Sequence, residues 1–375
     1  MNFKKLEDFL NYITQWRIPG CDMAVYYKGG IVFRHMSGYR DKENKIPMDG
    51  SELFNIYSAS KVITCATALT LLEQGKFLLT DPLYEYIPEF KDVMVKRGKE
   101  LIKPERPIEI RHLFSMSAGL DYDINMPSIL EVKEKTKGRC PTLETVKAMA
   151  KKSLLFEPGA HWNYSLCHDV LGGLIEVISG KTFGEYLNEA ILEPLNMKNT
   201  GFGVNDEIFN RMAKQYRFID EKNDTELIPA QNVVYRLGTE YESGGAGLYS
   251  SVEDYMKFAS SLACYGKYGN TQVLSRAAID LMRENQLDEQ GLRDFIWPQL
   301  TGYGYGLGVR TMMDRSKGAL SPIGEFGWCG AAGCYVLIDP LNNLAVFYAQ
   351  HLLNNQEAFV HPRLRNIVYA CLDAE

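Results

Sequence analysis

Segments with the pattern of β-strands lie at both ends of this chain, and the long stretch between them is mostly helical in pattern. Two short β-type runs at 23–28 and 31–36 are joined through Gly29-Gly30, which is a good hairpin signal. Four more stretches look like consecutive strands near the other end, at 303–312, 323–329, 333–338 and 344–350. This arrangement predicts one sheet assembled from both ends of the chain, with a mainly helical domain inserted in the middle.

Hydrophobic periodicity and capping signals predict the helices. They are expected near 108–114, 142–153, 166–178, 182–193 and 355–372, with a longer apolar helix at 58–74 and a capping-box start at Ser251. The segment 200–240 has little periodicity and is expected to wrap the surface. We therefore assign residues 1–78 and 241–375 to a sheet domain and residues 79–240 to a mainly helical domain.

The composition is that of a globular protein with a sizeable core, since 46% of the 375 residues are hydrophobic and 23% are charged. The formal net charge of −6 argues against a nucleic acid or an anionic membrane as partner. No apolar run approaches the length of a membrane span, and the first ten residues carry acidic side chains where a signal peptide needs an unbroken apolar region. The sequence thus predicts a cytoplasmic protein without a nucleic-acid or membrane partner.

The cysteines show no C-x-x-C spacing and mostly sit in apolar context. There are eight of them: Cys21, Cys65, Cys140, Cys167, Cys264, Cys329, Cys334 and Cys371. In a chain without an export signal they are interpreted as reduced core residues rather than as disulfides or zinc ligands. A catalytic cysteine is the sharper alternative.

A serine and a lysine, Ser58 and Lys61, stand three positions apart at the start of the long apolar helix. Residues i and i+3 share a helix face, so the two side chains can touch. A serine hydroxyl becomes a good nucleophile when a neighbour accepts its proton, and a desolvated lysine amine can do so. Taken alone the pair also fits a helix N-cap with a solvated lysine, because roughly one S-x-x-K is expected by chance in a chain of this length.

Two further segments carry residues suited to acyl chemistry. Tyr164 follows the turn signal Glu157-Pro158-Gly159, and a tyrosine beside an amine can act as a general base. The segment 326–333 reads FGWCGAAG, in which small residues allow a backbone N–H to approach a ligand and stabilise an oxyanion. The plainer alternatives are a half-buried aromatic residue and a tight turn between strands.

The order and separation of these three motifs resemble the serine β-lactamase and penicillin-binding-protein superfamily, in particular its class C β-lactamase-like branch. Residues 111–120 read RHLFSMSAGL and resemble the branch's RHLLTHTSGL segment. Residues 80–83 (TDPL) resemble its DDPV turn, and residues 243–248 (SGGAGL) its GGGGL segment. The likeness runs from about residue 20 to residue 350. It implies an α+β fold in which an antiparallel sheet is flanked by helices, with the active site in the cleft against the helical domain.

The same resemblance implies the roles of the candidate residues. Ser58 would be the acylated nucleophile, Lys61 its proton acceptor or relay, and Tyr164 the base that returns a proton to the leaving group. The backbone N–H groups of Ser58 and Ala331 would form the oxyanion hole. No metal or other cofactor is required.

Two departures from the branch bear on the substrate. Leu166 stands where lactamases and peptidases have the asparagine of Tyr-x-Asn, and Trp328-Cys329-Gly330 replaces Lys-Thr-Gly or His-Thr-Gly. Tyr-Ser-Leu and Trp-x-Gly resemble instead the β-lactamase-like carboxylesterases, with Trp328 as an apolar wall for an acyl chain or aromatic alcohol. Arg310 is a candidate positive charge near the cleft, so an anionic substrate stays open.

The leading hypothesis is therefore a serine hydrolase that forms an acyl-enzyme with small carboxylic esters. The alternatives are an acyltransferase, a weak β-lactamase or D-amino-acid peptidase, and a binding or sensor protein that kept the fold without turnover. His168 and Asp169 suggest a Ser-His-Asp triad, but consecutive helical residues point about 100° apart and do not converge. His112 and His161 are interpreted as structural.

Overall fold

The computed structural model describes residues 1–229 and 237–372, so that 230–236, inside the predicted helical domain, lie outside the described residues. The α-helices of the described part are Lys4–Trp16, Ser60–Glu73, Ile110–Phe114, Pro127–Lys135, Thr142–Met149, Cys167–Ser179, Phe183–Leu187, Asp206–Arg211, Val252–Ala263, Arg276–Met282, Glu289–Asp294 and Glu357–Leu372. Short 3₁₀ turns at Tyr57–Ala59, Leu83–Glu85, Pro88–Asp92, Pro298–Leu300 and Arg315–Lys317 and a π-turn at Asn188–Leu192 complete the helical structure.

The largest sheet has eight strands, all paired antiparallel. In spatial order they are Tyr303–Tyr305, Arg310–Met312, Phe326–Gly327, Tyr335–Asp339, Leu344–Gln350, Gly20–Tyr27, Gly30–Asp41 and Ile46–Pro47. The two ends of the chain meet where Gly20–Tyr27 pairs with Leu344–Gln350, with Cys21 opposite Gln350 and Tyr27 opposite Leu344. The predicted assembly of one sheet from both ends is confirmed.

Among the described residues, four smaller sheets accompany the large one. They pair Phe54–Asn55 with Tyr249–Ser250, Val95–Arg97 with Glu100–Ile102, Lys267–Tyr268 with Thr271–Gln272, and Tyr216–Ile219 with both Asp224–Leu227 and Leu352–Leu353.

The two faces of the large sheet are buried in two separate hydrophobic cores, as the alternation of strand side chains requires. Met23 and Val25 face a core that contains the N-terminal and C-terminal helices, where Leu10 and Leu364 are fully buried. Ala24, between Met23 and Val25, belongs to the larger core on the other face. There the helix Val252–Ala263 packs on the sheet, and Tyr255 stacks on Phe347 with ring centroids 4.1 Å apart.

The helix Ser60–Glu73 lies inside the larger core and carries the candidate catalytic lysine. Each residue from 60 to 71 is buried, so this helix is enclosed on all sides and not only along one stripe. It packs against the helix Cys167–Ser179, which begins three residues after Tyr164. A chemical group at the first turn of such a helix is therefore shielded from bulk water.

Several predicted boundaries differ from the observed ones for local reasons. The predicted strand 303–312 is two strands, because Gly308 adopts a φ of +80° in a turn closed by a Gly306 N–H···O=C Val309 bond of 2.7 Å. The segment 200–240 contains the helix Asp206–Arg211 and a β-hairpin, whose first strand pairs with Leu352–Leu353. Within the described residues, no helix is both long and apolar enough to cross a membrane.

Candidate active site

Ser58, Lys61 and Tyr164 come together around one serine oxygen. Lys61 Nζ donates to Ser58 Oγ at 3.1 Å, and Tyr164 OH lies 2.6 Å from the same oxygen. Lys61 also donates to the carbonyl oxygen of Gly245 at 2.7 Å. Ser58 therefore has a hydrogen-bond partner on each of two sides, and both partners can exchange protons.

The backbone before Ser58 adopts a turn that a regular helix would not make. Tyr57 has a φ of +46°, in the left-handed region that a bulky side chain rarely occupies. The turn is held from outside: Ile56 N–H donates to Leu248 O at 3.1 Å, and Tyr255 OH donates to Ala59 O at 2.8 Å. The structure thus places Ser58 on a 3₁₀ turn that leads into the helix of Lys61, and the predicted helix 58–74 begins at Ser60.

The ammonium group of Lys61 is completely buried, and its surroundings compensate its charge. Its Nζ lies 4.6 Å from the ring centroid of Tyr164 and 5.8 Å from that of Tyr122. Burial alone would lower the pKa of Lys61, but the phenol groups of Tyr164 and Tyr122 and the carboxylate of Asp169 outweigh it and raise the pKa. Lys61 is therefore a cation at neutral pH.

Asp169 is a fully buried carboxylate that helps to raise the pKa of Lys61. Its Oδ1 accepts hydrogen bonds from Tyr241 OH at 2.7 Å and from Ser243 Oγ at 2.6 Å. A Cβ built on Gly245 would lie 2.6 Å from Asp169 Oδ2 and 3.5 Å from Lys61 Nζ, so the carboxylate and the ammonium group flank the same glycine. The sequence singled out Asp169 for a triad, whereas its geometry suits a counter-charge for Lys61.

Aromatic side chains surround Tyr164. Tyr122 stacks on its ring at 5.6 Å, Trp328 at 5.9 Å, and Trp297 meets it edge-on at 5.2 Å. Trp328 is 1% exposed, while Trp297 is only partly buried. Sequence reasoning selected Trp328 but missed Tyr122 and Trp297, because no local motif marks either residue and their contacts with Tyr164 join segments distant in sequence.

The loop after Trp328 approaches the backbone of the serine turn closely. A Cβ on Gly330 would clash with the carbonyl oxygen of Ile56, so only glycine fits there. Gly330 O accepts from Gly333 N–H at 2.7 Å. The C=O and N–H of the trans peptide between Gly330 and Ala331 point in opposite directions, so the Ala331 N–H points away from Gly333 N. Asn355 Nδ2 holds the carbonyl of Ala331 at 2.8 Å. The two peptide groups that flank the Cα of Ala331 are thus each held by a hydrogen bond, and this residue is exposed.

Two residues predicted to bind substrate are buried. Arg310 is 1% exposed and forms an ion pair of 2.9 Å with Glu325, which is itself fully buried, and it donates to Val336 O at 2.8 Å. Because its charge is compensated inside the sheet, the geometry argues against the predicted positive charge in the cleft. Leu166 is 2% exposed at the start of the helix Cys167–Ser179 and packs in the core beneath the site.

The remaining polar candidates have structural contacts. His168 Nε2 lies 3.1 Å from Phe114 O and 3.6 Å from Cys65 Sγ, and burial lowers its pKa to about 3. It does not join Ser58 in a triad. His112 accepts from Glu109 N–H at 3.0 Å at a helix start, and His161 pairs with Asp294 at 3.0 Å.

All eight cysteines are free, as predicted, and seven of them are buried. Burial raises the pKa of the Cys65 and Cys329 thiols well above the ordinary value. A protonated thiol is a poor nucleophile, so these two cysteines do not suit the catalytic alternative.

The chain matches the Beta-lactamase family model over residues 6–370 and therefore belongs to that family. It is 31% identical over 344 residues to Protein Rv1367c of Mycobacterium tuberculosis (88% of this chain, 85% of the relative) and 26% identical over 385 residues to Esterase EstB of Burkholderia gladioli (96% and 92%).

Two solved structures superpose on nearly the whole chain. EstCE1, a hydrolase with promiscuous acyltransferase activity, matches at 25% identity with a TM-score of 0.78, covering 97% of this chain and 98% of that one. Simvastatin synthase (LovD) from Aspergillus terreus, at 21% identity, has a TM-score of 0.82 over 99% of both chains and bears on the fold alone. The resemblance seen in the motifs and the α+β fold class are both confirmed.

Replacement of Arg310 by alanine is expected to lower the free energy of unfolding by about 3–5 kcal/mol, because it leaves the Glu325 carboxylate buried without its partner. Urea denaturation followed by circular dichroism measures this. Arg293→Ala, which removes an exposed ion pair with Glu289, is the matched control and should change stability little. A loss in Arg310→Ala no larger than in the control would mean that the buried pair has no stabilising role.

Proposed function

We propose that this chain is a serine esterase in which Ser58 attacks the carbonyl carbon of a small carboxylic ester and forms an acyl-enzyme. One observation carries the proposal: Ser58 Oγ lies 2.6 Å from Tyr164 OH and 3.1 Å from Lys61 Nζ, in a chain of the β-lactamase family. A nucleophile within hydrogen-bond reach of a base, with the base held by a third group, is the arrangement that activates a serine.

Before acylation the Tyr164 hydroxyl has released its proton to solvent, and the ammonium group of Lys61 stabilises the resulting phenolate. The phenolate then takes the Ser58 proton as Oγ attacks the carbonyl carbon, so that the negative charge passes from Tyr164 to the substrate oxygen. The carbonyl oxygen becomes an oxyanion beside the N–H groups of Ser58 and Ala331. Tyr164 then returns the proton to the leaving alcohol. A water molecule repeats the sequence on the acyl-enzyme and releases the acid.

The surroundings of the serine favour an uncharged, partly apolar substrate. Trp328, Trp297 and Tyr122 present aromatic surface next to Tyr164. The third motif carries Trp328 and Cys329 where a cation and a hydroxyl would hold the carboxylate of a β-lactam, and Arg310 is already paired with Glu325. A site without those contacts forfeits the charge-assisted binding that selects β-lactams and D-amino-acid peptides. EstB, a relative over 96% of the chain, is named as an esterase.

Acyl transfer is the second candidate, because EstCE1 is described as a hydrolase with promiscuous acyltransferase activity. The two reactions share the acyl-enzyme and differ in whether water or another alcohol attacks it. Adding a primary alcohol to an ester assay and quantifying transester against free acid separates them: dominant transester at low alcohol concentration would favour the transferase.

Ser58→Ala is expected to abolish labelling by a fluorophosphonate probe and to lower kcat for p-nitrophenyl butyrate at least about a thousandfold, since no other hydroxyl replaces the nucleophile. Ser261→Ala is the matched control, because its buried hydroxyl donates to Phe258 O within its own helix. Intact mass spectrometry measures the labelling, and steady-state kinetics measures kcat.

A chromogenic cephalosporin should turn over more slowly than the ester; faster turnover would contradict the proposed substrate class.

Tyr164→Phe and Lys61→Ala are each expected to lower kcat by about 10²–10⁴, and the double variant should lose far less than the product of the two, because the groups act as one unit. Tyr186→Phe, which removes a buried phenol bonded to Thr70, is the control for loss of a hydroxyl. Near-normal kcat in either single variant, or strictly multiplicative losses, would show that the roles are wrongly assigned.

Asp169→Asn is expected to move the basic limb of the kcat/KM–pH profile to lower pH. Removing the carboxylate removes an interaction that raises the pKa of Lys61, so the ammonium group loses its proton at a lower pH and activity falls earlier. Asp254→Asn, another fully buried aspartate, is the control. A lowered rate with an unshifted profile would leave Asp169 with a structural role alone.

A further inference from the structure

Cys329, Glu357 and His361 form a compact cluster behind the loop that carries Ala331. One potential ligand atom from each residue lies within 4.8 Å of the other two. Glu357 and His361 are four positions apart in the C-terminal helix, so they share one helix face, while Cys329 comes from the turn after the strand Phe326–Gly327. Cys329 and His361 are buried and Glu357 is partly exposed. The cluster is thus assembled from two separate elements.

Hydrogen bonds to neighbouring groups orient two of the three side chains, His361 and Glu357. His361 Nε2 lies 3.1 Å from Gly333 O; as the donor to that carbonyl, it leaves Nδ1 with its lone pair. Glu357 Oε1 accepts from Gln299 Nε2 at 2.7 Å, and Asn355 and Cys329 are further hydrogen-bond partners of the Glu357 carboxyl group. Metal-binding histidines and carboxylates are oriented in this way by hydrogen bonds from their other atoms.

We propose that Cys329 Sγ, Glu357 and His361 Nδ1 bind one Zn²⁺ ion, with a water molecule as fourth ligand. Thiolate, imidazole and carboxylate are the ligand types that zinc takes in proteins, and three such ligands plus water complete a tetrahedron. A zinc–sulfur bond forms, and the thiol proton leaves to solvent. The thiolate and the carboxylate together supply two negative charges to the ion. Partly exposed Glu357 provides the route of entry.

Two arginine side chains, Arg310 and Arg365, lie near the proposed zinc site, and each has a partner within the protein. Arg310 and Arg365 lie close enough to His361 to influence its protonation, but Arg310 is paired with Glu325, and Arg365 donates to Tyr303 OH at 2.9 Å. The same Glu325 carboxylate faces both arginines. One buried carboxylate and the Tyr303 hydroxyl are thus the partners of the two guanidinium groups near the cluster.

The zinc ion would tie together the two ends of the loop 329–333. Cys329 is the first residue of that loop, and His361 contacts Gly333 at its last. Ala331 lies between them, so occupancy stiffens the segment whose amide orientation was described above. The binding site itself does not depend on the esterase proposal.

The test is a titration of the reduced, metal-free full chain with Co²⁺ and with chelator-buffered Zn²⁺. We expect one metal per chain, a thiolate-to-cobalt charge-transfer band in the near ultraviolet, and a higher Tm in zinc. Cys329→Ser should lose the band, and Glu357→Gln should weaken zinc binding by more than about tenfold. Cys264→Ser, which replaces the more exposed thiol beside Tyr26, should change neither.

The proposal is overturned if the wild-type chain shows no stoichiometric binding, or if the cobalt band survives in Cys329→Ser. It is also overturned if Glu357→Gln binds zinc as tightly as the wild type. Circular dichroism verifies that each variant is folded. Should Cys329→Ser fail to fold, the wild-type cobalt spectrum and the Glu357→Gln variant, at a partly exposed position, still decide the question, and neither readout uses esterase activity.

Discussion

The buried charge of Lys61 is the interaction on which the arrangement of the site depends. An ammonium group taken out of water is costly unless hydrogen bonds and opposite charges replace its hydration. The Lys61 ammonium group is stabilised by four groups: the Gly245 carbonyl, Ser58 Oγ, the phenol ring of Tyr164 and the carboxylate of Asp169. Three of these groups, those of Gly245, Tyr164 and Asp169, come from parts of the chain distant from Lys61, so the lysine can be buried with its partners only when the fold has formed.

The need for compensating partners extends from Lys61 to Asp169. A carboxylate at zero exposure also needs partners, and Tyr241 and Ser243 supply them in the segment that ends in Gly245. Gly245 itself has no space for a side chain between the carboxylate and the ammonium group. The glycine-rich segment 243–248 therefore has a physical reason for its composition, which motif resemblance alone does not provide.

Much of the fold and half of the site could be predicted from the sequence. Strand alternation and the Gly29-Gly30 turn are local signals, and so is the i, i+3 spacing that brings Lys61 to Ser58. Tyr122 and Trp297 could not be found this way, because their approach to Tyr164 depends on packing between segments far apart in the chain. Arg310 was placed in the cleft because nothing local reveals its partner: Glu325 lies 15 residues further along the chain.

The distribution of charge distinguishes this site from one built for anionic substrates. The buried cations near the serine turn and the sheet, Lys61 and Arg310, are both compensated from within the protein. A substrate carboxylate would thus have to compete with Asp169 or Glu325 for a cation while losing its own hydration, which is unfavourable. An uncharged ester loses no such hydration when it binds beside the aromatic rings around Tyr164. Burial of its apolar surface against these rings is favourable. The selectivity for esters that we propose would then rest on charge compensation inside the fold.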